Sequence, residues 1–211
     1  MPSVRLKYFD AKGRAEPVRF MFALDGVDYE DIRYSQEEFA KVKATMPFGQ
    51  VPVLEVDDIT VPHSKAIYTF VAAQHGFLPA DNLGRAHVDV VIETISDTDF
   101  DSTKWFFEQV PEKKEELMKH LKDVTFPKMK ENLEKILSEN NEGKAWFVGD
   151  KLSLADVITF SMLHDGLAMF TGKEPGSCSL SDYPLLEGFV ARFKALPKIA
   201  TYLEKRPNTP Y

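Results

Sequence analysis

A strand-forming run headed by a proline, Pro47-Phe48-Gly49-Gln50-Val51-Pro52-Val53-Leu54-Glu55-Val56, constrains this chain more than any other stretch. Proline has no amide hydrogen to give to a sheet ladder, so Pro52 marks an edge where the sheet opens, and something extended and peptide-like is expected there. A cis Val51–Pro52 bond, about 0.5–1 kcal/mol above trans, would turn the N–H and C=O of Val51 outward to pair with it. The plainer alternative is a proline that merely starts a strand. A short turn later, Pro62-His63-Ser64 leads into a helical pattern.

The stretches around this run supply its context. Val4, Leu6 and Tyr8 alternate with Arg5, Lys7 and Phe9, the period of a strand. From Arg14 the apolar residues Ala15, Val18, Met21 and Phe22 fall at helical intervals, with Pro17 tolerated in the first turn and Gly26 suited to the C-cap. Tyr29 to Arg33 reads as a second strand and Gln36 to Thr45 as a weaker helix. Pro52–Val56 then turns through Asp57-Asp58 into Thr60-Val61, and a helix starts at Ser64 and runs to Gly76. The order β-α-β-α-β-β-α predicts a small mixed sheet with helices on its faces over residues 1–76.

Phe77-Leu78-Pro79-Ala80-Asp81-Asn82 breaks the pattern and reads as a linker over 77–82. No useful strand alternation follows it. Helical periods appear at 83–110, 113–139, 153–170, 183–195 and 197–205, so 83–211 is expected to be an all-α domain. Within it, Ser153 as N-cap with Asp156 at N3 has the form of a capping box, and Leu152 with Val157 that of a hydrophobic staple.

Composition excludes several classes. The chain has 211 residues, 44% hydrophobic and 28% charged, which suits a globular protein with a full core. Its net charge of −7 and lack of a basic stripe argue against nucleic-acid and anionic-membrane partners. The first residues lack the apolar region of a secretory signal, and no run approaches a membrane span, so a cytoplasmic location is expected. The single cysteine, Cys178, excludes an internal disulfide and reads as an incidental loop thiol.

Leu6-Lys7-Tyr8-Phe9 with Gly13-Arg14-Ala15-Glu16, the Pro47-to-Val56 run, Ser64-x-Ala66-Ile67, the capping box and Lys205-Arg206-Pro207 together resemble the cytosolic glutathione transferases. The resemblance spans the whole chain and is strongest to the sigma class, which includes haematopoietic prostaglandin D synthases and many invertebrate enzymes. It implies a thioredoxin-like N-terminal domain that binds glutathione as co-substrate, an all-α domain that forms most of the site for a hydrophobic electrophile, and a homodimer.

The chemistry follows from the residue types. A free thiol near pKa 8.5 is only about 3% thiolate at pH 7, and the thiolate is the nucleophile. A hydroxyl donated to that anion is a charged hydrogen bond of roughly 1.5–3 kcal/mol, equivalent to about one to two units of thiol pKa. Tyr8 stands where the family places this donor, and no Ser or Cys occupies the equivalent position. By resemblance the Arg14 cation further favours the thiolate.

The remaining glutathione contacts also rest on resemblance. Lys43 and Phe39 match the hold on the glycyl carboxylate, although Phe39 stands where a tryptophan is common and offers no indole N–H. Gln50, Val51 and Pro52 take the cysteinyl part, and Ser64 at a helix start takes the γ-glutamyl carboxylate. His63 replaces the usual glutamine with one donor and one acceptor, which could make glutathione affinity depend on pH. Asp97 would reach the γ-glutamyl ammonium across the dimer. Some sigma-class members hold a cation with acids near Glu93 and Asp97, but Ser96 stands in place of one, so no metal is expected. The acceptor site would be lined by Phe9, Gly13 and Arg14 on one side and by Asp101, Lys104 and Trp105 on the other, with Tyr211 as a possible cap.

Three activities fit: conjugation of glutathione to electrophiles in detoxification, a glutathione-dependent prostaglandin D isomerisation, and a non-catalytic, crystallin-like role. Asp101 and Lys104 make the expected pocket polar for a prostaglandin, and conjugation is ranked first.

Overall fold

The computed structural model describes residues 3–172 and 174–209; Tyr211 lies outside them. The chain divides into two compact units, residues 1–78 with 194–211, and residues 79–193.

The first unit is built on a four-stranded sheet. Strands β1 (Val4–Phe9) and β2 (Glu30–Tyr34) run parallel, β1 and β3 (Val53–Val56) antiparallel, and β3 and β4 (Ile59–Pro62) antiparallel, giving the order β2-β1-β3-β4. Parallel pairing of β1 and β2 requires a crossover, supplied by helix α1 (Glu16–Asp25). Pro17 lies in its first turn and Gly26 closes it at φ 77°, donating its N–H to the carbonyl of Phe22. Helix α2 (Gln36–Val42) opens on a reciprocal capping box between Ser35 and Glu38, and a 3₁₀ turn, Lys43–Thr45, continues it. Helix α3 (Ser64–Gln74) follows β4. Leu6 and Leu54 on the sheet, Val18 and Met21 on α1, and Ile67 and Val71 on α3 are buried, at about 1.5–3 kcal/mol for each large apolar side chain.

One expectation changes here. The proline-headed run does not form an edge strand: β3 is paired on both sides, and Pro52 stands just before its first paired residue, where its missing N–H removes no ladder bond. The opening is therefore at the end of β3 rather than along its side. Helix α11 (Pro197–Lys205) packs on α1 and groups with the compact unit that holds the sheet. Its attachment is polar. Glu16 and Arg19 on α1 are sealed from solvent, and Tyr202 Oη and Arg206 Nη1 reach Glu16 Oε1 at 2.9 and 2.7 Å. Burial and the neighbouring Glu16 push the Tyr202 phenol well up, so it remains a donor.

The second unit is all-helical among the described residues: α4 (Asn82–Ser96), α5 (Asp99–Phe107), α6 (Pro111–His120), α7 (Phe126–Glu139), α8 (Leu154–Ser161), α9 (Leu167–Thr171) and α10 (Pro184–Lys194). Three of the long predicted helices are interrupted. The 83–110 period breaks at Asp97-Thr98, where the hydroxyls of Ser96 and Thr98 bond back to the carbonyls of Ile92 and Ile95. The 113–139 period passes through a π turn, Leu121–Thr125, just before Pro127, whose missing N–H cannot continue an α ladder. A second π turn, Met162–Gly166, interrupts 153–170. The Ser153–Asp156 box is present at the start of α8, and the Asp156 carboxylate also accepts the N–H of Phe147 at 2.8 Å.

Candidate functional site

Sheet register gathers the first set of residues. The last paired residues at one end of β3 are Lys7↔Val53 and Val53↔Pro62. One step beyond them, antiparallel register sets Tyr8 and His63 on either side of Pro52. The Val51–Pro52 bond is cis. Tyr8, Val51-Pro52 and His63-Ser64, far apart in sequence, thus come to one end of one sheet.

Tyr8 is held there by a turn. Its Oη accepts the backbone N–H of Arg14 at 3.2 Å. That approach depends on Gly13, at φ 41°, because a Cβ on this residue would stand 2.7 Å from the Tyr8 oxygen. The carbonyl of Arg14 in turn accepts the hydroxyl of Tyr68 on α3 at 2.6 Å. Arg14 is thus fixed by both of its peptide groups, while its residue is exposed. A phenol that already accepts a backbone N–H is polarised toward donating its own proton. Tyr68, one turn into α3, was not singled out in the sequence, since a tyrosine on a buried helix face reads as core.

The neighbouring expected residues are placed as follows. The ring of Phe9 packs edge-on against Tyr8 and Phe39, at 5.7 and 4.9 Å between centroids. Lys43 is exposed, and its stem passes alongside Gly49. Gln50 is exposed and Val51 half-buried. His63 is the N-cap of α3 at φ 67°, without a side-chain capping bond, and Ser64 is the first helical residue. The His63 ring stacks on Phe48, 5.1 Å between centroids, and Phe48 is itself at φ 56° and 74% exposed. Phe48 gave no sequence signal, because a positive φ at a non-glycine residue cannot be read from composition.

In the second unit the expected residues lie at the end of α4 and along α5. Asp97, the C-cap of α4, and Asp101 border a small cavity of about 220 Å³ with His120 and Lys128, and Asp101 accepts the hydroxyl of Thr125 at 2.8 Å. Lys104 borders a different, open cavity of about 630 Å³ with Phe107 and Lys113, and its ammonium lies over the exposed Phe100 ring. Trp105 packs against Phe170 and carries the Lys114 ammonium over its face. Asp101, Lys104 and Trp105 are i, i+3 and i+4 on α5 and so share one helix face, along which Asp101 borders the smaller cavity and Lys104 the larger. Among the described residues no group of three or more His, Cys, Asp or Glu is placed to hold a metal ion, and no helix is long and apolar enough to cross a membrane.

A mixed sheet of this order with helices on it, followed by an all-helical unit, is the thioredoxin-like and all-α pairing expected from the sequence. Residues 4–73 match the glutathione S-transferase N-terminal domain and residues 96–206 the glutathione S-transferase C-terminal domain, and the chain belongs to the glutathione S-transferase family. Its similarity is sigma-like. S-crystallin SL11 of Nototodarus sloanii is 34% identical over 100% of both chains. Glutathione S-transferase S1 of Drosophila melanogaster is 34% identical over 98% of this chain and 80% of its own. The structure of prostaglandin synthase D of Nilaparvata lugens aligns with a TM-score of 0.88 at 29% identity, covering 99% of this chain and 100% of the other.

Proposed function

We propose that this protein binds glutathione at the end of the sheet in its first unit and activates the thiol as thiolate for conjugation to electrophilic small molecules. The observation that carries this reading is the Tyr8 hydroxyl, which accepts the Arg14 amide and so keeps its proton for an outside acceptor. A sulfur beside it would receive a charge-assisted hydrogen bond. In the bound tripeptide the cysteinyl backbone pairs with Val51, beside Pro52 and Gln50, and the γ-glutamyl carboxylate lies at the start of α3, where Ser64 and its neighbouring amides carry the positive end of the helix dipole. His63 and Asp97 add polar contacts, the latter across a homodimer, while Lys43 and Phe39 flank the glycyl end. Arg14 contributes positive charge, and Phe9 and Gly13 border the path of the incoming electrophile.

Turnover of glutathione with a chlorodinitrobenzene-type acceptor tests this. Activity in the native chain that falls about 10- to 100-fold in Tyr8→Phe, the equivalent of one charged hydrogen bond, is the expected result. A rate unaffected by the substitution defeats it. The likeness to a prostaglandin synthase D favours a second reading, isomerisation of an endoperoxide by the same thiolate. Endoperoxide turnover without consumption of glutathione selects that one. The likeness to an S-crystallin favours binding without turnover, which inactivity toward both substrates would select.

A further inference from the structure

The turn that presents Arg14 to Tyr8 is gripped on both flanks by the distant end of the chain. On one flank Lys12, itself buried, donates its ammonium to the carbonyl of Thr209. On the other, Glu16 divides its carboxylate. Oε2 takes Arg19 Nη1 at 3.0 Å, and Oε1 takes Tyr202 and Arg206. Arg19 completes the link by donating back into the turn, to the carbonyl of Ala11 at 2.7 Å, while its other nitrogens hold Asp31 on β2. All these groups lie in the first unit.

We propose that Tyr202 and Arg206 are positioning residues for thiol activation: through Glu16 they fix the Gly13–Ala15 turn, and with it the approach of the Arg14 N–H to the Tyr8 hydroxyl. This rests on the reading of Tyr8 as the donor to sulfur. Without its two C-terminal donors, a buried carboxylate oxygen has to find water or turn away. Arg19 is bound to the same carboxylate and moves with it, releasing the carbonyl that anchors the turn. A hydrogen bond weakens steeply as its geometry opens, so a small shift of the turn reaches Tyr8.

Two measurements on the full chain test this: amide exchange at Arg14 without ligand, and the thiolate absorbance of bound glutathione across pH. Tyr202→Phe and Arg206→Gln are each expected to speed Arg14 exchange roughly tenfold as the turn opens locally. They are expected to raise the apparent pKa of the bound thiol by about one unit, tenfold in thiolate at fixed pH. The loss falls on kcat more than on KM for glutathione, and Arg206→Lys recovers most of it. Faster exchange with an unchanged thiol titration, or no change in either, overturns the proposal, as does an Arg206→Lys variant no better than Arg206→Gln. Tyr8→Phe separates the two levels of argument. If it shifts the titration while the C-terminal variants do not, only the positioning role falls. If wild type and Tyr8→Phe titrate alike, the reading of Tyr8 falls and takes the positioning role with it.

Discussion

Tyr8 owes its position to a side chain that Gly13 lacks. In Gly13→Ala the new methyl meets the phenol oxygen at 2.7 Å and the backbone is held at φ 41°, a region that costs an L-residue roughly 1–2 kcal/mol. The expected outcome is lower stability to urea by about that amount and transferase activity reduced at least as far as in Tyr8→Phe, because the phenol is displaced instead of losing only its proton. Tyr68→Phe tests the other side of the same peptide. It leaves the Arg14 carbonyl without its hydroxyl donor, a loss of about 0.5–1.5 kcal/mol measurable by urea unfolding. At this scale the sequence was legible for position: Tyr8 near the end of the first strand, Gly13 in the turn after it and Ser64 at a helix start are where the pattern put them. It was not legible for Tyr68 or Phe48, whose roles come from what they touch in three dimensions.

At the scale of single elements, the start of α8 supplies the pH-dependent prediction. Burial pushes the Asp156 carboxyl up to about 6, against the opposing pull of the bonds from Phe147 and Ser153. Between the ordinary value of 3.8 and about 6 the folded state binds more proton than the unfolded chain, so this residue's contribution to stability is fully present below that window and is lost as pH rises through it. Asp156→Asn cannot titrate. The stability of wild type relative to this variant should therefore grow as pH falls from about 6 to about 4, by at most about 1.4 kcal/mol per pH unit. Urea titrations at stepped pH would show it, and a gap independent of pH would refute it. Ser153→Ala should cost about 0.5–2 kcal/mol in the same assay. The box itself was readable because its two members are three residues apart. The interruptions of α4–α5 and α6–α7 were not, since the apolar period continues across them while hydroxyl back-bonds and a missing proline N–H redirect the backbone.

At the scale of the whole molecule, the alternation of strands and helices and its loss after residue 76 gave the order of elements; the chain passes between its two compact units after residue 78 and again at residue 194. Lys194-Ala195-Leu196-Pro197 looks like any helix-to-helix joint, and which unit α11 joins depends on the ion pairs it meets. Ending the chain after Phe193 should destabilise the first unit by at least about 1.5–3 kcal/mol, the burial lost with the fully buried Ile199, while Glu16 keeps Arg19 as its cation. Urea unfolding followed by a first-unit probe checks this, and a synthetic peptide of residues 194–209 should restore part of the loss.

Because α11 closes over Glu16, the sheet-bearing unit is completed only by residues made after the whole of the second unit. A nascent chain halted before residue 194 would carry its sheet with Glu16 held by Arg19 alone. Birth order and completion order of the two units run in opposite directions, and protease sensitivity of the first unit should persist until α11 has emerged.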